Sequence, residues 1–347
     1  MSKMKALVYH GPRDLRIEER EIPKPSDDEV LIKVRAVSVC GSDLGAYRLP
    51  EISERWFPPL VLGHEFSGEI VELGANVDSL HIGQRVTGNP IAYCKDCYYC
   101  NNNMINLCTK RHSLGTSIGG KAQDGALQEY FTLRKEAVIP LDDRVTFAQG
   151  ALLEPLAVCY CAAQKGITKD ERVAVIGAGP IGLMTVKFLK AFGAKTIIAS
   201  DISDTRLNLA AKYGADTIVN VRNDSLVDKV KALTNDIGVD RVVIAADTTT
   251  AIDDSFKIVR SGGNIVMVAL MHHNITLDPM QIVGRGISIL GSYMFTWQQK
   301  DVMQMVAEGK LFVDDLITST HKLEEGVEVF KDLCAADCKD VKVLITM

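Results

Sequence analysis

Alternating apolar and polar positions mark the first part of the chain. "MKALVYH", "EVLIKVRAVSVC", "SGEIVELG" and "QEYFTL" are short β-type segments with turn residues between them, from Met4 to about Pro155. The pattern predicts a sheet or partial barrel. From about residue 170 it changes: the apolar runs "RVAVIG", "TIIASD", "TIVNV", "RVVIAA", "NIVMVAL" and "SILGSY" take turns with amphipathic stretches. Apolar strands alternating with helices predict an α/β fold with a doubly wound parallel sheet. After Tyr293 the chain predicts one or two helices, "QQKDVMQMVAEGK" and "KLEEGVEVFKDLC", and a last strand, "KVLITM", which returns to the first domain. No internal repeat or low-complexity segment interrupts this order.

Length agrees with two domains, since 347 residues exceed one ordinary core. A hydrophobic share of 47% with scattered Pro and Gly predicts folding throughout. A net charge of -5, with no run of Lys or Arg longer than two, argues against a nucleic-acid surface. The N-terminus does not resemble a signal peptide, and runs such as "NIVMVALM" fall far short of a membrane span. The expectation is a soluble cytoplasmic protein acting on a small molecule, with no membrane or nucleic-acid partner. Nine cysteines in such a chain read as metal ligands or free thiols rather than disulfides.

The run "RVAVIGAGPIGLMTVKFLKAFGAKTIIASD" places Gly177, Gly179 and Gly182 in G-x-G-x-x-G order after a strand and before a helix. Gly177 permits a tight turn, Gly179 lets the backbone approach a pyrophosphate, and Gly182 lets the helix pack close. Pro180 and Ile181 complete the phosphate-binding stretch at the helix start. Asp201 ends the second strand, where a carboxylate accepts hydrogen bonds from the ribose hydroxyls and repels a 2′-phosphate. NAD is therefore expected over NADP. Arg206 reads either as a contact to the ribose or phosphate edge or as a helix-surface arginine.

Two groups of metal-ligand residue types remain. Cys40 in "SVCGSD", His64 and Glu65 in "LGHEFSG", and Glu154 in "LLEPLA" supply a thiolate, an imidazole and carboxylates, the donor set of a catalytic zinc with an open position. Asp43 is placed to orient His64 through its other ring nitrogen. Cys94, Cys97, Cys100 and Cys108 have the spacing of a closed, all-thiolate structural zinc site, with disulfides as the alternative. Cys159, Cys161, Cys334 and Cys338 read as core or surface thiols.

Over essentially its whole length the chain resembles the zinc-dependent medium-chain dehydrogenase/reductase family. "GHEFSGEIVELGANV" is similar to that family's G-H-E-x2-G-x5-G-x2-V signature, and the four-cysteine lobe and "GAGPIGL" follow in the family's order. The resemblance implies a GroES-like β-rich catalytic domain over 1–155 and 295–347, with a structural zinc lobe at about 90–110. It implies a Rossmann NAD-binding domain over 156–294, with the catalytic zinc in the cleft between domains. It further implies two zinc ions per subunit, one catalytic and one structural, and assembly as a homodimer or homotetramer. Cys40, His64 and Glu65 or Glu154 would bind the catalytic zinc, and Ser42 would pass the substrate proton onward. Glu154 stands where classical alcohol dehydrogenases carry a cysteine, which points to the polyol dehydrogenase branch: sorbitol, galactitol-phosphate, threonine and butanediol dehydrogenases.

Two departures separate this chain from sorbitol dehydrogenases. Gly45 replaces a histidine near the end of the proton path, and "GSYM" replaces an F-R-Y stretch near residue 292. Both, with "FPPLVLGHEFSG", look more like galactitol-phosphate dehydrogenase, although the length around Glu51 to Phe57 is variable. The expected reaction is reversible, NAD-linked oxidation of a secondary alcohol of a polyol or polyol phosphate to a ketone. Oxidation of L-threonine or 2,3-butanediol is the alternative. Candidate pocket residues are Tyr47, Arg48, Trp56, Phe57, Thr116, Tyr293 and Phe295, each also readable as ordinary packing. Rival classes are a zinc-free quinone or enoyl reductase and a zinc-ribbon nucleic-acid binder; the ligand sets oppose the first and the acidic balance the second.

Overall fold

The structure, a computed structural model, describes residues 2–50, 56–116, 123–335 and 338–347. Glu51 to Arg55, most of the variable stretch before Phe57, lie outside the described residues. The chain forms two compact units, Met1–Pro155 with Thr296–Met347, and Leu156–Phe295.

In the first unit, β1 (Lys3–Gly11) and β2 (Asp14–Glu21) form an antiparallel hairpin that β4 (Leu60–Val61) extends. The larger sheet contains β3 (Glu29–Ser38), β5 (Glu65–Leu73), β6 (Arg85–Gly88), β9 (Tyr130–Arg134), β10 (Val138–Pro140), β17 (Ile317–Lys322) and β18 (Lys342–Thr346). Its order is β10-β6-β5-β3-β18-β17, with β9 also pairing β3. A ribbon of β7 (Ile91–Ala92) and β8 (His112–Ser113) stands at the base of the cysteine lobe. Val30, Ile32, Val34, Phe66, Ile70 and Phe131 fill the core, with the Phe66 and Phe131 rings edge-on at 4.8 Å. Each such side chain contributes about 1.5–3 kcal/mol by leaving water.

Sequence patterning found β1, β3, β5, β9 and β18 but not the other strands of this unit. Of the missed strands, β4, β6, β7, β8 and β10 are four residues or shorter, and "DLRIEERE" (β2) and "ITSTHK" (β17) are largely polar and lie at sheet edges, so neither carries a run of buried apolar residues. Two helices were also hidden in the β-rich part. α1 (Gly41–Arg48) follows β3, and α2 (Phe147–Gln164) runs on through Pro155, whose ring removes an amide that a helix interior would use. A proline at that point reads as a boundary in the sequence.

The second unit is a six-stranded parallel sheet of β11 (Arg172–Ile176), β12 (Thr196–Asp201), β13 (Thr217–Asn220), β14 (Val239–Ile244), β15 (Val259–Met267) and β16 (Ser288–Gly291). The order β13-β12-β11-β14-β15-β16 is that of a dinucleotide-binding Rossmann sheet, as the alternating pattern predicted. The first crossover helix is α3 (Pro180–Ala191). Buried Arg241 ties β14 to the end of α2: it donates to the Ala163 carbonyl and, at 2.7 Å, to that of Lys165, and pairs with buried Glu171. Asp240 beside it accepts from the Arg172 amide at 2.7 Å and from Arg260 Nε at 2.7 Å. Among the described residues no helix is long and apolar enough to cross a membrane.

Candidate active site

The site in the first unit grows from the end of β3. Ser38 pairs with Glu65 of β5 on one side and with Leu344 of β18 on the other. The chain leaves β3 at Val39 and turns at Cys40, the N-cap of α1, where the Asp43 carboxylate accepts from the Cys40 amide at 3.1 Å. This pairing delivers Cys40 to His64 and Glu65. One ligand atom from each of the three lies within 4.8 Å of the others.

His64 is buried, and its Nδ1 stands 3.7 Å from Asp43 Oδ1, an ion-pair distance too long for the hydrogen bond expected from the sequence. Neither atom has a hydrogen-bond partner among the described residues. Burial works against a charged His64 ring, but the Cys40 thiolate and Asp43 outweigh it and raise its pKa well above the ordinary value. Burial raises the wholly buried Asp43. Glu65 is 1% exposed, and Lys342 Nζ donates to its Oε2 at 2.5 Å.

Glu154, on α2, does not join the three donors. It is buried close enough to feel His64 and Glu65, and burial, with Glu65 adding to it, pushes its pKa up to about 7. Ser42 is half-buried in the first turn of α1, two residues from Cys40.

The trio fits zinc. A thiolate, an imidazole and a carboxylate converge, and three protein donors leave a fourth position for substrate. The four cysteines fit a closed site. Their sulfurs stand 3.5 Å (Cys97 to Cys100), 3.5 Å (Cys94 to Cys108) and 3.8 Å (Cys94 to Cys100) apart. A tetrahedron of thiolates about 2.3 Å from zinc has edges of about 3.8 Å, whereas a disulfide needs about 2.05 Å. All four thiols are free. The amides of Cys94 and Lys110 both donate to Cys108 Sγ at 3.4 Å, and hydrogen bonding led by the Cys100 amide brings the Cys97 thiol down to about 6.

In the second unit Gly177 adopts φ +98°, and a Cβ on Gly182 would stand 1.8 Å from the Gly177 carbonyl oxygen. A Cβ on Gly179 would meet nothing within 4 Å, so the backbone there is open to a phosphate. Gly179 caps α3 and Pro180 is its first residue, where a missing amide costs nothing. The Ile181 carbonyl accepts from Thr185 Oγ1 at 2.7 Å. Asp201 is pinned beside the glycine turn: Oδ2 accepts from the Ala178 amide at 2.7 Å, and Oδ1 from the amides of Ile202 and Ser203 at 2.8 and 2.9 Å. Arg206 is half-buried in the first turn of the following helix.

The candidate pocket residues divide. Tyr47 and Trp56 belong to the core, with the Tyr47 ring edge-on to Phe330 at 5.7 Å, and Phe295 is also buried. Thr116 is buried, Tyr293 half-buried and Phe57 exposed. Arg48 is exposed at the far end of α1, about 12 Å along the helix from Cys40, where it lowers the Cys334 thiol's pKa against the upward push of burial. The residue that sequence reasoning missed is Lys342. "KVLITM" reads as a strand with a solvent-facing lysine at its start, and nothing local marks that lysine as buried.

Residues 26–143 match the alcohol dehydrogenase GroES-like domain, and residues 180–309 match the zinc-binding dehydrogenase family. The chain is 34% identical to sorbitol dehydrogenase of Bacillus subtilis (strain 168), covering 99% of this chain and 97% of that one. It is also 34% identical to D-arabitol-phosphate dehydrogenase of Enterococcus avium, over 99% and 98% of the two chains. Among solved structures it is similar to a zinc-binding dehydrogenase of Sinorhizobium meliloti 1021 bound to NADP, with a TM-score of 0.90, 30% identity and 100% of both chains covered. The GroES-like and Rossmann architecture, the two donor clusters and these relatives agree: the chain belongs to the zinc-dependent medium-chain dehydrogenase family, in its polyol dehydrogenase branch, and is an oxidoreductase.

Proposed function

We propose that the chain is an NAD-dependent enzyme that reversibly oxidises a secondary alcohol of a polyol or polyol phosphate to a ketone. The observation that carries this reading is the convergence of Cys40, His64 and Glu65 within 4.8 Å. In this reading the first unit is the catalytic domain and the second the NAD-binding domain. Zinc on the trio supplies Lewis acidity toward the alcohol or ketone oxygen, and nicotinamide supplies the hydride acceptor or donor.

The chain's own residues do the rest. Cys40, His64 and Glu65 hold the metal with one position open, Cys94, Cys97, Cys100 and Cys108 hold a second, structural zinc, and Ser42 accepts the substrate hydroxyl proton. With Gly45 where sorbitol dehydrogenases carry a histidine, position 45 supplies no side chain to the relay, and Ser42 would hand the proton on toward solvent. Glu154, outside the trio, serves as an acid at its margin rather than as a third anionic ligand. Asp201 takes the ribose hydroxyls and disfavours a 2′-phosphate, and the amides around Gly177, Gly179, Pro180, Ile181 and Gly182 hold the pyrophosphate. Arg206 lies near the same ribose edge. A cytoplasmic homodimer or homotetramer suits nine cysteines without a disulfide and a parallel sheet whose last strand, β16, is partly exposed.

The test is formation of NADH and NADPH over a panel of sugar alcohols, their phosphates, L-threonine and 2,3-butanediol. The reading expects kcat/KM to be highest on a polyol or its phosphate and at least about tenfold higher with NAD than with NADP. Threonine or butanediol as the best substrate would replace the substrate assignment, and NADP preference would remove the role given to Asp201.

A further inference from the structure

A buried cation beside the trio has no part in the reading above. The Lys342 side chain is 3% exposed and that of Glu65 1%. The ammonium donates to Glu65 Oε2 at 2.5 Å and to the carbonyl oxygen of Val39, the residue before Cys40, at 3.0 Å. The Val39 amide in turn donates to the Val343 carbonyl at 3.0 Å. β18 is held on both sides, Lys342 opposite Ile317 and Leu344 opposite Ser38. The backbone that carries the lysine is therefore fixed whichever way Glu65 is used.

A divalent cation taken up by Glu65 must share that carboxylate with a positive charge already present. Two effects oppose it: like-charge repulsion at low dielectric, and the engagement of one carboxylate oxygen by the lysine. We propose that Lys342 is a positioning residue that makes Glu65 a shared, weakened ligand, so the trio holds zinc less tightly than its three donors alone would. This rests on the reading of Cys40, His64 and Glu65 as zinc ligands. A carboxylate partly neutralised by an ammonium donates less charge to the metal, which leaves the metal more electrophilic. With one oxygen held back, Glu65 is also kept from closing the open position as a two-oxygen ligand. Outer-shell partners usually raise metal affinity; the charge of Lys342 gives this one the opposite sign.

The experiment titrates zinc against a chromophoric chelator in the parent, Lys342→Met, Lys342→Gln and Lys342→Arg proteins. Cys40→Ala marks the zinc held by the four-cysteine lobe alone. Lys342→Met and Lys342→Gln are expected to bind the second zinc about 10–100-fold more tightly than the parent, with kcat reduced, and Lys342→Arg to restore the parent's affinity. A purely structural lysine predicts the reverse, a lower melting temperature and weaker zinc binding. Folded Met and Gln variants that bind zinc no more tightly than the parent overturn the proposal. Should Lys342→Met fail to fold, Lys342→Gln, which keeps a donor for the Val39 carbonyl, decides. A parent protein that binds no more zinc than Cys40→Ala overturns the trio reading itself, a different result from two zinc ions bound and no tightening.

Discussion

The four-cysteine lobe and the trio of Cys40, His64 and Glu65 use overlapping chemistry and are assembled in opposite ways. The lobe takes all its donors from one loop between Cys94 and Cys108, with two short helical turns, Tyr98–Asn101 and Ile105–Leu107, in which Ile105 is the buried residue. The trio takes its donors from the end of β3 and the start of β5, and its cation from β18, 303 residues after Val39. A local loop with so little buried apolar surface is expected to need the metal to fold, because the ligand bonds replace missing apolar burial. A site set into a paired sheet is built without metal, so its donors can be fewer and its last position open. The difference teaches that donor count here follows from what the surrounding fold already holds.

The comparison breaks most sharply at Cys40. Cys40→Ser is expected to lower kcat/KM by about a thousandfold or more while leaving NAD binding, followed by fluorescence quenching, within a few-fold of the parent's. Retained turnover would remove the catalytic role from the trio. Cys97→Ser should act the other way round, reducing zinc content by one and the melting temperature by about 5–10 °C. Calorimetry showing parental stability would mean that the lobe folds without its metal.

The smallest effect is a control away from both clusters. Asp240 is partly buried, which alone would raise its pKa, but hydrogen bonds from Arg260 and Arg172 prevail and lower it below the usual carboxylate range. A carboxyl lowered on folding adds stability above its unfolded pKa, and that stability is lost as pH falls through the lower folded value. Asp240→Asn should therefore cost about 1–2 kcal/mol near neutral pH and little once the pH is below the folded value, by denaturant unfolding. Zinc content should not change.

The lobe and the glycine turn were legible because their chemistry is contiguous: four thiols in fifteen residues' reach, and a strand, turn, helix and acid in a row. The parallel sheet was legible because its strands are apolar on both faces. Cys40, His64 and Glu65 carried a recognisable local pattern, but their meeting depends on the registers of Ser38 with Glu65 and Leu344, which no local pattern encodes. Glu154 was grouped with them on residue type, and α2 places it outside their 4.8 Å set. Lys342 was invisible for the same reason as β2 and β17: what decides a polar residue's surroundings is the strand beside it, not its own neighbours in the chain. Tyr47 and Trp56 show the converse, aromatic side chains that suit a pocket by type and are claimed by the core.

Since β18 lies between β3 and β17, the sheet that carries the trio is finished by residues translated only after the whole parallel sheet. The parallel sheet between Leu156 and Phe295 is one uninterrupted stretch and can fold while the tail is still being translated. During that interval β3 has an unfilled edge in the nascent chain and Glu65 waits without its lysine, so the time taken to translate the intervening stretch sets how long an unfinished edge is exposed to misassociation.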